Sequence, residues 1–289
     1  MDMDRPNLFL RILRNPLTRI ILGMVMVALP IAGVLELANQ YGEPRGLTDL
    51  DIFELVSNSL GILCGFAGYL LFVRLTEWRW PREISLFGFF PEFGKGLALG
   101  AVLFSGTMLL LWLFGHYDWT GANSVTVLSA AFSAAIAGFF EELLVRGVIY
   151  RILEESLGTR IALALSAVLF GLAHVANPNA TAIATIAVAL EAGLLLAAAY
   201  SLTGRLWFAT GLHCAWNFTQ GGIFGLPVSG HPMTGLLVGT VSGPTWISGG
   251  EFGVEASLIA VLVCMTATVV ILRLVIKRGL VVKPWWRRN

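Results

Sequence analysis

Two adjacent carboxylates, Glu141 and Glu142, precede Arg146 near the end of an apolar run that begins at about Val125. Ionisable side chains inside hydrocarbon cost a few kcal/mol each on insertion scales, so a cluster kept there marks a functional site by default. Two histidines, His174 and His213, lie in later apolar runs. A carboxylate in poorly hydrated surroundings can act as a general base on water. Imidazole N–H groups, helped by the amide of Asn217, can stabilise a tetrahedral oxyanion. Such a set suits peptide-bond hydrolysis. No serine or cysteine sits in a nucleophile motif, and Cys214, next to His213, projects elsewhere on the helix. Two histidines and a glutamate are also a zinc ligand set, although the H-E-x-x-H pattern is absent.

Spacing divides the roles. Glu142 and Arg146 are four apart with the acid first, the favourable order for an ion pair on a helix. Glu141 then points about 100° away, since a helix turns once in 3.6 residues. One acid supports the site and the other faces a cavity. Phe170 with His174, and His213 with Asn217, share helix faces at the same spacing. Small residues such as Gly138, Gly171, Gly211 and Ala215 let helices approach closely around them. Glu191 stands mid-run among alanines and is a cavity-lining candidate. His116, His231 and the two acids of the loop from Gly249 to Glu255 read as solvated.

These residues must be positioned by membrane-spanning helices. Of 289 residues, 56% are hydrophobic and only 13% charged, with mean hydropathy +0.78, whereas soluble domains carry about 25% charged residues. The expected fold is all-α: a polytopic membrane protein in a single integral-membrane domain, residues 1–289. About eight transmembrane helices are expected, over roughly 20–37, 55–73, 96–114, 125–150, 161–176, 181–202, 206–224 and 254–276. The first apolar run has no convincing small-residue cleavage site and reads as an uncleaved span rather than a signal peptide. With the N-terminus inside, 18 of the 19 Lys and Arg fall on one side and only Arg45 on the other. The positive-inside rule therefore places both termini in the cytoplasm. Counting ~1.5 Å per helical residue from the basic ends puts Glu141, His174 and His213 roughly 15, 21 and 12 Å deep. That is one layer, expected to open toward the cytoplasm. A net charge of +1 with scattered basic residues gives no nucleic-acid footprint. Cys64, Cys214 and Cys264 read as small core residues without a disulfide frame.

Taken together, Glu141-Glu142-x-x-x-Arg146, Phe170-x-x-x-His174 and His213-x-x-x-Asn217, in this order on successive apolar helices, resemble the CPBP family (CAAX protease and bacteriocin-processing) of Abi and Rce1-like intramembrane proteases. The resemblance covers a motif-bearing core of about 125–225. It implies a glutamic-type intramembrane endopeptidase. Glu141 would activate water, His174, His213 and Asn217 would bind and polarise the reacting carbonyl, and Glu142, Arg146 and Phe170 would support the site. The implied substrate is a membrane protein or peptide, including lipid-modified, CAAX-like ones. The short loops and compact chain suit a bacterial inner (plasma) membrane. No cofactor is implied, and zinc stays open as an alternative. A non-catalytic scaffold or bacteriocin-immunity protein and a proton-coupled transporter are the readings from other classes. Oligomeric state is left open.

Overall fold

The computed structural model describes residues 12–46 and 51–288. Of the basic residues assigned to the inner side, Arg5 and Arg11 fall outside that range. The chain is a helical, multi-pass membrane protein. Helices α1 (Pro16–Gly42), α2 (Asp51–Thr76) and α3 (Phe89–Leu113) come first. Then follow α4 (Val125–Leu157), α5 (Thr159–Ala176) and α6 (Ala182–Thr203). Helix α7 (Leu206–Asn217) continues as a wide turn over Phe218–Ile223, and α8 (Leu258–Lys277) closes the set. Among the described residues, seven helices are long and apolar enough to cross a membrane. The eighth, α7, is the one that hydropathy passes over. It carries Thr210, His213 and Asn217, and all three are buried.

Local chemistry sets the helix ends. The Asn15 side chain accepts from Leu17 N (2.9 Å) ahead of Pro16, an N-cap followed by proline at the first helical position. Thr181 and Ser257 cap α6 and α8 through Ala184 N and Ala260 N, both at 3.1 Å. Pro30 inside α1 cannot donate to the carbonyl of Met26. Gly68 of α2 packs directly over that freed carbonyl, where a Cβ would collide. On α1 the side chains of Leu17, Ile21, Val25 and Leu29 recur every four residues and are all exposed, the stripe expected of a lipid-facing helix.

Two apolar clusters hold the bundle. One gathers Val27, Tyr69, Phe72, Leu143 and Val148 between α1, α2 and α4. The other centres on Phe104, Trp216, Leu195 and Leu212 between α3, α6 and α7, with Phe104 and Trp216 edge to face at 5.0 Å. Helix α7 lies tightly on α3. A Cβ on Gly96 would meet the Phe208 carbonyl, one on Gly100 the Leu212 carbonyl, and one on Gly211 the Phe93 carbonyl. Only glycine lets the two backbones come this close, and that fixes the depth of α7.

The two ends of the bundle differ. At the end where α1 begins and α8 finishes, Arg19 joins Glu77 (2.6 Å) and Glu155 (2.7 Å). Arg151 joins Glu77 (2.8 Å), Glu83 (3.0 Å) and Glu155 (2.8 Å). This network ties α1, α2 and α4 together. Burial alone would raise the pKa of Glu77, but the guanidiniums of Arg151 and Arg19 outweigh it and hold the carboxyl at about 2. The C-terminal tail crosses the same end, where Thr159 and Val282 exchange backbone and side-chain bonds. At the opposite end, β1 (Tyr117–Ala122) and β2 (Leu237–Val241) form an antiparallel ribbon, Tyr117 facing Val241. The ribbon fastens the long loop after α7 to the segment that leads into α4.

Candidate active site

Three of the helices around the candidate residues, α4, α6 and α7, widen near them. Glu142 ends the regular first part of α4, and a π-helical stretch runs from Leu143 to Tyr150. A second wide turn, Ala189–Gly193, holds Glu191 in α6, and a third, Phe218–Ile223, follows Asn217. Wide turns of this kind cluster at functional sites because they re-aim side chains that a regular helix would stack.

Glu142 is the hub. It is fully buried, and its Oε1 accepts from Arg146 Nη1 (2.9 Å) and pairs with His213 Nδ1 (3.0 Å). A carboxylate only accepts, so Nδ1 of His213 carries the proton and Nε2 is left to face the cavity. Arg146, also fully buried, donates through Nη2 to the carbonyls of Ala192 (3.2 Å) and Gly193 (3.1 Å) on α6. Its guanidinium lies 4.5 Å from the centre of the Phe170 ring. Thus Phe170, expected to support the site, bridges the arginine to both histidines, with ring centres 4.7 Å from His174 and 6.1 Å from His213. Gly138 clears the way for His213, since a Cβ there would lie 3.2 Å from the imidazole Cγ.

His174 ends the regular part of α5, and its Nδ1 donates to the Phe170 carbonyl (2.8 Å). That again leaves Nε2 free. It faces Glu141, whose Oε2 lies 3.8 Å away. The gap is too long for a direct hydrogen bond and suits a bridging water. Glu141 Oε2 is buried and has no hydrogen-bond partner, although the side chain as a whole is 36% accessible. Glu141, His174, His213 and Asn217 are therefore brought together from α4, α5 and α7.

Two spaces meet at these residues. A small enclosed cavity of ≈ 20 Å³ lies behind the histidines and is bounded by Glu191 and Glu255 as well as His174, His213 and Asn217. It is on the scale of one water molecule. Glu191 thus lines a cavity shared with the histidines. A larger cleft of ≈ 450 Å³ reaches Glu141, His174 and Asn217 from the ribbon end, past Glu54, Ser229 and His231. The sequence leads one to expect a mouth at the basic end. In that direction Arg146, Tyr69 and Tyr150 fill the bundle with 0% exposure each.

Sequence reasoning missed Glu255. It was expected to be solvated with Glu251, but only Glu251 is exposed, and Glu255 is 3% exposed. Its carboxylate accepts from Ser229 N, and so holds down the loop that walls the cleft. Burial pushes its pKa up to about 7 against the hydrogen bonds from Ser229 and Gln220. A glycine-rich loop gives no periodic signal from which this burial could be read. Cys214 and Cys264 are buried and Cys64 half-buried, all as free thiols. Among the described residues no three His, Cys, Asp or Glu side chains are grouped to hold a metal ion.

No curated protein and no solved structure matches the chain. The model of one protein family does match, over residues 121–219, a stretch that begins just before α4 and ends just after Asn217. Over that segment, which contains Glu141, His174, His213 and Asn217, the chain is similar to the Rce1-like type II CAAX prenyl endopeptidases, a family of membrane proteases.

Proposed function

We propose that the protein hydrolyses peptide bonds of membrane-associated polypeptides, with Glu141 as the general base. The carrying observation is the unpartnered Glu141 Oε2 at the inner wall of the cleft, 3.8 Å from His174 Nε2. A water held between them would give a proton to Glu141 as its oxygen attacks the scissile carbonyl. Charge then develops on the carbonyl oxygen. The Asn217 amide and the Nε2 atoms of His213 and His174 would be the groups that stabilise it. Each ring already holds a proton on Nδ1, so only its doubly protonated form can donate from Nε2. Collapse of the tetrahedral intermediate breaks the C–N bond, and Glu141 returns its proton to the departing amine. The products are a new carboxyl and a new amino terminus. Glu142 fixes the tautomer and orientation of His213, and Arg146 neutralises Glu142. Both Nδ1 atoms are committed to protein acceptors, which orients each ring with Nε2 toward the reacting groups. CAAX-like and other lipid-modified substrates belong to this reading as the family's substrate class.

The test compares membranes expressing wild type and Glu141→Gln by mass spectrometry, with and without a chelator. Peptide bonds cut only by the wild type, and still cut under chelation, support the reading. Cleavage that survives in the variant removes Glu141 from the chemistry. Cleavage that the chelator stops favours a metalloprotease.

A further inference from the structure

Two buried acids, Glu191 in the wide turn of α6 and Glu255 in the loop before α8, take no part in the hydrolysis described above. Both line the enclosed cavity of ≈ 20 Å³, and so does His213. Among the described residues, the larger cleft is lined by His174 and Asn217 but not by His213. The free Nε2 of His213 therefore has the two acids, rather than the cleft, for its surroundings. A further polar group shares this space. Trp216 lines it, and the indole N–H is buried without a hydrogen-bond partner. A cavity of this size takes one water when two to four polar groups can bind it. The indole would donate to that water, a carboxylate would accept from it, and Nε2 would complete its shell. Resting on the proposed hydrolysis, we infer that Glu255, backed by Glu191, holds His213 in its doubly protonated form through a water in this cavity.

The groups around the cavity divide the charge. Two carboxylates lining one water-sized space do not both ionise cheaply, so the pair keeps one proton and one negative charge. Glu255 is the member that ionises. It accepts from Ser229 N and Gln220 and feels the charge of His213, and its carboxyl, raised to about 7 by burial, still ionises near neutrality. Glu191 faces the thiol of Cys264 on α8, which donates to it, and the more distant Arg146 on α4. His213 faces Glu142 through Nδ1, with Glu141 and Arg146 also on α4. A proton from solvent rests on His213 Nε2, bonded through the water to ionised Glu255, while the other proton stays on Glu191. Only N–H and O–H bonds are involved, and both protons remain when products leave. His174 and Asn217 border cavity and cleft alike. A carbonyl oxygen seated between them takes the water's place at Nε2 and meets a proton already there. Glu191 and Glu255 act through His213 and are positioning residues.

Nitrogen NMR of the histidine-labelled full chain in detergent reads the protons on each ring nitrogen and needs no substrate. A His116→Gln/His231→Gln background leaves His174 and His213, and adding His174→Gln assigns the signals of His213. His213 is expected to carry protons on both nitrogens at neutral pH. Glu255→Gln should lower the pH at which Nε2 loses its proton by about one unit, as the loss of a nearby opposite charge does. The alkaline limb of the cleavage-rate profile should move down with it. Glu191→Gln leaves a neutral partner in place and should not lower that midpoint. A His213 that holds a single proton at neutral pH with both acids present overturns the inference, and this reading needs neither acid variant to fold. So does a Glu255→Gln protein whose midpoint and pH profile stay put while its rate falls at every pH, the result of a merely structural role. A midpoint lowered as far by Glu191→Gln as by Glu255→Gln overturns the assignment of the charge to Glu255. If the wild type cleaves no peptide while His213 titrates as described, the hydrolase reading fails and the pairing of His213 with Glu255 stands.

Discussion

Glu141 and Glu142 are neighbours in sequence with opposite fates. One helix step separates an acid with a free, cleft-facing oxygen from an acid shared by Arg146 and His213. Two different losses follow. Glu141→Gln should lower cleavage by about 10²–10⁴-fold, the usual worth of a general base, while thermal unfolding in detergent stays near wild type. Arg146→Met should instead unfold the protein readily, because it strands a fully buried carboxylate. Breaking such a pair costs about 3–5 kcal/mol. The double variant Glu142→Leu/Arg146→Met should recover much of that stability but none of the activity, since His213 loses its acceptor. Thermal melts beside a cleavage assay separate the three. At this scale the sequence was informative where helical spacing sets geometry: the i,i+4 pair of Glu142 and Arg146 is present as its spacing implies. It was silent on the cross-helix bond from His213 to Glu142 and on the burial of Glu255, because both depend on partners far away in the chain.

Among the elements, α7 is the most demanding to place. It carries His213 and Asn217, and its position against α3 depends on Gly96, Gly100 and Gly211. Gly100→Ala would press a methyl into the Leu212 carbonyl, one residue before His213. Overpacking of this sort costs about 1–3 kcal/mol, and a shift of about 1 Å in a catalytic group can cost ~10²-fold in rate. Activity should therefore fall further than stability. Gly106→Ala, on the same helix but with nothing within 4 Å of the added carbon, should leave both intact. Cleavage rate and melting temperature of the two variants check this. Hydropathy alone locates the other helices well but not α7, whose polar residues are satisfied by burial within the bundle rather than by its own composition.

For the molecule as a whole, the network around Glu77 clamps α1, α2 and α4 at the basic end. The carboxyl of Glu77 is held at about 2 against an ordinary 4.5. A depressed acid stabilises the fold fully above its unfolded value and progressively less as pH falls toward the folded one. Stability should thus hold above about pH 4.5 and decline between there and pH 2, and Glu77→Gln should flatten that decline while lowering stability at neutrality. Melting temperatures measured across this range test the sign. The gathering of Lys and Arg at one end of the described helices was legible from their placement in the sequence. The direction of the mouth was not, because depth counted along single helices says nothing about which end the neighbouring side chains plug.

The β1–β2 ribbon has one more consequence. The family match closes at residue 219, whereas Val228, Ser229, His231 and Met233 of the cleft wall lie beyond it, in the loop that β2 hangs on β1. The parts that break a bond and the parts that admit a chain are thus written in separate stretches, joined by a few strand hydrogen bonds. Such a layout works like a lock with an exchangeable keyhole, in which the loop can be rewritten for a new client while the bolt stays as it is.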